Sequence, residues 1–179
     1  MELMAEILGI IAIGVSVASM LLKKKSGIML LCSIYNLLTL TSYLLLGKYL
    51  GCIIVGILTL KSLTYYFFSL KKLKPNIVVL IIFEISILLT SIILWSSWTD
   101  ILILCSSIIS TYSTWQDNVK FLKICVIICT AFLVAYDIFV EAYVYVISEL
   151  LYGGAALLSL IYYKKGMKNE QESINTEGN

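Results

Sequence analysis

The chain has 179 residues, 60% of them hydrophobic and 13% charged, with a formal net charge of +2. So small a charge argues against nucleic acid as a partner. With neither arginine nor histidine present, bidentate phosphate forks, histidine metal sites and histidine proton relays are excluded. A soluble helix buries one stripe and wets the other; here the apolar runs are apolar all round, and each approaches the ~20 helical residues that cross a ~30 Å hydrocarbon core.

Seven such runs follow one another at 3–22, 27–46, 49–70, 76–95, 99–115, 121–140 and 143–163. The first reads as a span and not as a cleavable signal peptide, because Glu2 and Glu6 precede it and its lysines follow it. Along it Ala5, Gly9, Ala12, Ser16 and Ser19 form a stripe of small residues on which another helix can pack closely. In the second run Cys32, Asn36, Thr39 and Tyr43 share a face. The third carries Lys61. Pro75 stands where the fourth begins, a position that costs a helix nothing, and Glu84 lies within it.

Trp95 closes the fourth run, Trp98 lies just before the fifth and Trp115 closes the fifth, positions suited to interfacial belts. Its stripe of Ser106, Ser107, Ser110, Thr111 and Thr114 is either helix–helix glue or a water-lined wall. The sixth run places Cys125, Cys129, Phe132 and Tyr136 at one set of positions and carries Asp137. The seventh places Tyr145, Glu149 and Tyr152 on one face. Residues 164–179 are polar and predict a disordered cytoplasmic tail. The five cysteines all sit inside runs and form no CxxC pair, so they predict core packing, with no metal and no cofactor.

Eleven of the thirteen lysines follow the odd-numbered runs: Lys23, Lys24, Lys25, Lys71, Lys72, Lys74, Lys120, Lys123, Lys164, Lys165 and Lys168. The other face holds Lys48 with Glu2, Glu6, Asp100 and Glu141. The positive-inside rule therefore predicts an outside N-terminus and a cytoplasmic C-terminus in a multi-pass membrane protein.

Sliding the chain on itself by 93 residues puts runs 1–3 on runs 5–7, with Lys71-Lys72 on Lys164-Lys165, Tyr43 on Tyr136 and Cys32 on Cys125. The expected fold is all-α: two parallel triple-helix repeats (about 3–70 and 99–163) joined by a linker helix (about 76–95), with a cleft between the bundles.

Ionisable groups inside hydrocarbon are costly and mark candidate sites. Lys61 and Glu84 each lie ten residues from the lysine-rich loop between their runs, about 15 Å deep at ~1.5 Å per residue, and are expected to pair. Asp137 and Glu149 share a depth of about 21–22 Å on consecutive runs. With Asn36 these four form the candidate solute or ion pathway; Thr39, Tyr43, Tyr136, Tyr145 and Tyr152 are candidate pocket-lining residues.

The segment Gly47-Lys48-Tyr49-Leu50-Gly51, followed by an apolar helix with a base at Lys61, resembles the YgjV-like family of bacterial inner-membrane proteins. The resemblance implies a fold and brings no catalytic residues. More distantly, the 3+1+3 plan is similar to the SWEET and nicotinamide riboside transporters. The SWEET repeats carry internal prolines, which these runs lack. The expected function is small-solute transport at a site between two bundles. The alternative is a structural or accessory membrane protein whose buried charges tie helices together. No nucleophile–base spacing suggests an enzyme. The expected partners are the lipid bilayer and an unknown small solute, with no nucleic acid, and the sequence leaves room for a homo-oligomer.

Overall fold

Hydrocarbon leaves a backbone no outside hydrogen-bond partner, so apolar runs of this length fold as helices that bond within themselves. The computed structural model describes residues 2–47 and 49–177, and the side chains of 3–47, 52–143 and 145–162. Among the described residues there are seven helices: α1 Glu2–Leu21, α2 Lys25–Leu45, α3 Tyr49–Leu70, α4 Ile77–Ile93, α5 Asp100–Trp115, α6 Val119–Phe139 and α7 Tyr143–Glu177. They follow the seven runs closely. Stretches within α1, α2, α3, α6 and α7 are long and apolar enough to cross a membrane, whereas α4 and α5 have 17 and 16 residues. Asn76 and Asn118 cap α4 and α6 by accepting from the first free backbone N–H groups.

Lys48 of the Gly47–Gly51 segment lies outside the described residues, as do the side chains of Glu2, Lys164, Lys165 and Lys168. The backbone of α7 is helical to Glu177. The side chains of 164–179, where a disordered tail is expected, are likewise outside the described set.

Helix ends in the two halves correspond at a spacing of 94 residues, one more than the 93 that sparse identities suggest. Lys25 and Val119 open α2 and α6, Leu45 and Phe139 close them, Leu21 and Trp115 close α1 and α5, and Tyr49 and Tyr143 open α3 and α7. The turns agree as well. Gly47 and Glu141 both adopt positive φ, at 68° and 58°, just past a helix end, and both donate their backbone N–H three residues back, to Leu44 and Ile138. Burial follows the same spacing: Ala5 and Thr99, Ser19 and Ser113, Ile28 and Leu122, Asn36 and Thr130, and Lys61 and Ala155 are all buried. A lysine pair at a helix end tolerates a one-residue slip, while turn geometry and a packed face do not. A spacing of 94 therefore fits these helix ends and turns better than one of 93.

Within each half the helices pack in sequence, α1 on α2 on α3 and α5 on α6 on α7. The halves meet directly through α1 and α7. The corresponding pair, α3 and α5, hardly touch, and α4 leans on α5 and more lightly on α3. The small-residue stripe of α1 is buried at Ala5, Ala12, Ser16 and Ser19, as its spacing predicts. The core (Met20, Ile28, Met29, Tyr65, Leu122, Ala155 and Ala156) lies towards the lysine-rich end.

Candidate functional site between α3, α4 and α5

Where α3 and α5 stand apart there is a cavity of about 280 Å³. Its apolar wall includes Ile54, Leu58, Ile87 and Ile103. Its polar wall is Thr90 and Ser91 of α4, Ser96 of the α4–α5 turn, Asp100 and Ser107 of α5, and Tyr136 of α6. These residues lie towards the end opposite the lysine clusters. The Asp100 carboxylate is held by its own turn: Oδ2 accepts from the backbone N–H of Ser96 and Ser97 at 2.7 and 2.9 Å and from the Ser96 hydroxyl at 3.1 Å.

Polar groups lie one helical turn below the cavity on each of its three helices: Lys61 beneath Leu58, Glu84 beneath Ile87 and Thr111 beneath Ser107. Lys61 is only 5% exposed, and its ammonium donates to Thr111 Oγ1 at 3.3 Å. Thr111 in turn donates to the Ser107 carbonyl at 2.9 Å, which links this floor to the cavity wall. The expected Lys61–Glu84 ion pair is not made. Glu84 lies within electrostatic reach of Lys61 without touching it, and Glu84 Oε2 is a buried atom with no hydrogen-bond partner. Counting residues places two groups at one depth but leaves their azimuth open, and Lys61 turns to the α5 stripe instead.

The other candidate residues divide. Asn36 is buried and donates to Ser62 Oγ at 3.1 Å, a tie between α2 and α3. The Thr39 hydroxyl bonds its own helix at the Tyr35 carbonyl, and Tyr43 is half-buried nearby. Asp137 is buried within electrostatic reach of half-buried Glu149. Tyr152 stands among Cys32, Tyr35, Cys129 and Glu149 where the halves converge. Tyr145, expected to line a pocket with it, is 58% exposed. It lies two turns from Tyr152, nearer the start of α7. Of the ten candidates only Tyr136 lines the cavity.

Sequence reading also missed residues that join the halves. Lys25 and Lys123 read as loop charges, yet both are buried. Lys25 Nζ approaches Asp117 Oδ1 at 3.1 Å, the one ion pair among the described residues, and the Trp115 carbonyl at 3.5 Å. Lys123 donates to the Leu22 carbonyl at 2.8 Å and to Ser159 Oγ. Each thus reaches the end of the first helix of the opposite half. Trp115, expected as a belt residue, donates its indole N–H to the Pro75 carbonyl at 2.9 Å and so ties α5 to the α3–α4 turn. An available signal was position: Lys25 opens α2 and Lys123 lies a full turn inside α6.

The family model described as bacterial inner membrane protein, Imp-YgjV, matches residues 3–165. The chain belongs to this YgjV family. No curated protein and no solved structure matches it. Membership agrees with the five apolar spans and with an inner-membrane location.

Proposed function

We infer that this YgjV-family chain carries a small solute across the inner membrane through the gap between α3 and α5. The observation that carries this reading is the cavity itself. It is partly polar, lies in an otherwise apolar protein, and falls at the one junction of the halves that direct helix packing leaves open. Hydroxyls of Thr90, Ser91, Ser107 and Tyr136 suit a neutral polar solute or a small cation beside Asp100. In this reading all seven helices span, α4 and α5 as short ones that local bilayer thinning accommodates. The plan is 3+1+3, supported by the 94-residue correspondence of helix ends, turns and burial. Lysines at one end support an outside N-terminus, and in this reading the cavity faces outward. Lys61 and Thr111 form its floor, while the Lys25, Lys123 and Trp115 ties close the cytoplasmic end. No catalytic step belongs to this reading.

Proteoliposomes offered a labelled set of small polyols, amino acids and monovalent cations should accumulate at least one. Ser107→Trp, which fills the cavity from α5, should lower that uptake at least tenfold while the melting temperature stays within a few degrees. Uptake of none, or uptake untouched by Ser107→Trp, would sink the assignment. The Asn36–Ser62 bond favours the second reading, in which buried polar groups only tie helices; a folded protein without uptake would support it.

A further inference from the structure

Beneath the α3–α5 cavity lie two opposite charges that do not meet. Lys61 of α3 stands one turn below Leu58, and Glu84 of α4 one turn below Ile87. Each acts on the other electrostatically, yet they form no ion pair. Lys61 is buried and gives one of its three N–H donors to Thr111 Oγ1. Glu84 Oε2 is buried with no hydrogen-bond partner. Tyr65, one turn further along α3, is fully buried, and its hydroxyl is unpartnered too, although Glu84 acts on it. Glu84 thus stands near an ammonium and near a phenol and bonds neither. Asp100, the acid in the cavity wall, is by contrast satisfied within its own turn. Opposite charges kept apart in a dry interior forgo most of their attraction, and each still bears the cost of leaving water.

We propose that this separated pair selects a zwitterion, an amino-acid-type solute whose carboxylate takes the two remaining donors of Lys61 and whose ammonium donates to Glu84 Oε2. The proposal rests on the α3–α5 cavity being the solute site, and it names the class of solute. A single charge does not suit this floor. A cation at Glu84 is repelled by Lys61, and an anion at Lys61 is repelled by Glu84. A polyol leaves both charges uncompensated. A molecule carrying both charges compensates both at once and stays net neutral. Its side chain then meets the apolar wall of Ile54, Leu58, Ile87 and Ile103. The bond to Thr111 draws Lys61 towards α5, so no ion pair has to be broken before the solute binds.

The test is binding by the full chain in a non-ionic detergent, read as the thermal unfolding midpoint at matched ionic strength. L-Alanine is compared with ethylamine, which lacks only its carboxylate, and with propionate, which lacks only its ammonium. L-Leucine is compared in the same way with isoamylamine and 4-methylvalerate. At least one amino acid, about 100-fold above its Kd, should raise the midpoint by roughly 5–10 °C, and its two analogues at the same concentration by less than about a third of that. Glu84→Gln, whose Oε2 has no hydrogen bond to lose, should cut the amino-acid response at least threefold and reverse the preference towards the carboxylate analogue. A Glu84 that only supports the fold would lower all responses together or none. Lys61→Met should shift the preference towards the amine; if it does not fold, Glu84→Gln decides. No rise specific to an amino acid, or the same preference in Glu84→Gln, overturns the proposal. Labelled uptake into proteoliposomes keeps the two readings apart. Amino-acid binding without uptake supports the zwitterion site and removes transport. Uptake of a polyol or a monovalent cation without amino-acid binding leaves transport and overturns the zwitterion site.

Discussion

The two places where the halves could meet are built differently. Between α1 and α7 the helices pack directly, with Ala155 and Val17 in one apolar cluster. Between α3 and α5 they stand apart, and the equivalent positions, 94 residues away in each case, hold Lys61 and Thr111 joined by a 3.3 Å hydrogen bond. A methyl group lets two helices close, whereas a four-carbon stem ending in a charge that must reach a hydroxyl does not. One seam is therefore solid and the other holds a cavity.

The lysine ties at the lysine-rich end offer the strongest way to break this comparison, and the larger effect is expected on the solid side. Lys123 clamps the α1–α7 seam through two hydrogen bonds made while almost wholly buried. Lys123→Met keeps the stem but leaves the Leu22 carbonyl without that donor, and should cost about 2–4 kcal/mol. Lys25→Met, on the open side, should cost about 1–2 kcal/mol, because its partner Asp117 is 55% exposed and the pair is screened. Equilibrium unfolding of both variants in mixed micelles decides the order. Equal losses would mean the two seams are clamped alike.

Much of this frame was legible from residues alone. Apolar length predicts the helices, and lysine loops predict which turns share an end. The Ala5–Ser19 stripe predicts a buried face. The site was less legible, for a physical reason. A residue's depth follows from counting, but its partner depends on how far each helix is rotated and how closely its neighbours approach. Lys61 was identifiable as a costly charge; its choice of Thr111 over Glu84 depends on helix rotation, which counting leaves open. Asp100 passed for a loop charge because its carboxylate belongs to a turn and only borders the cavity. Tyr145 shares a periodic face with Tyr152, yet it stands two turns nearer the start of α7 and is exposed.

Packing within the second half gives a smaller, sharper test. A Cβ added at Gly153 would meet Thr130 Cγ2 at 2.7 Å and its Cβ at 3.0 Å. Thr130 is β-branched and cannot swing aside easily. Gly153→Ala should push α7 off α6 at a cost of about 1–3 kcal/mol. At Gly154 a Cβ meets nothing within 4 Å, so Gly154→Ala should stabilise by about 0.5–1 kcal/mol through helix propensity alone. The equivalent of Gly153 in the first half is Thr59, buried and bonded to its own helix at the Val55 carbonyl at 2.7 Å. A Gly153→Ala variant as stable as the parent would show that α6 and α7 pack no closer than α2 and α3.

The smallest stability change should come at the open seam, where it separates holding the fold from doing the work. Lys61→Met removes a buried ammonium and one hydrogen bond. Thr111 keeps its bond to the Ser107 carbonyl, so no hydroxyl is stranded. Burying a charge without an ion-pair partner is costly, so an apolar side chain of similar length relieves that cost while losing one hydrogen bond, and the variant's stability should fall within about 1 kcal/mol of the parent's. If Lys61 is the floor of a solute path, uptake by the folded variant should nevertheless fall at least tenfold. If Lys61 is only a spacer between α3 and α5, uptake should follow stability and stay nearly unchanged. A large loss of stability would instead show that the α3–α5 gap is held open by this one contact, and that the asymmetry between the two seams is structural before it is functional.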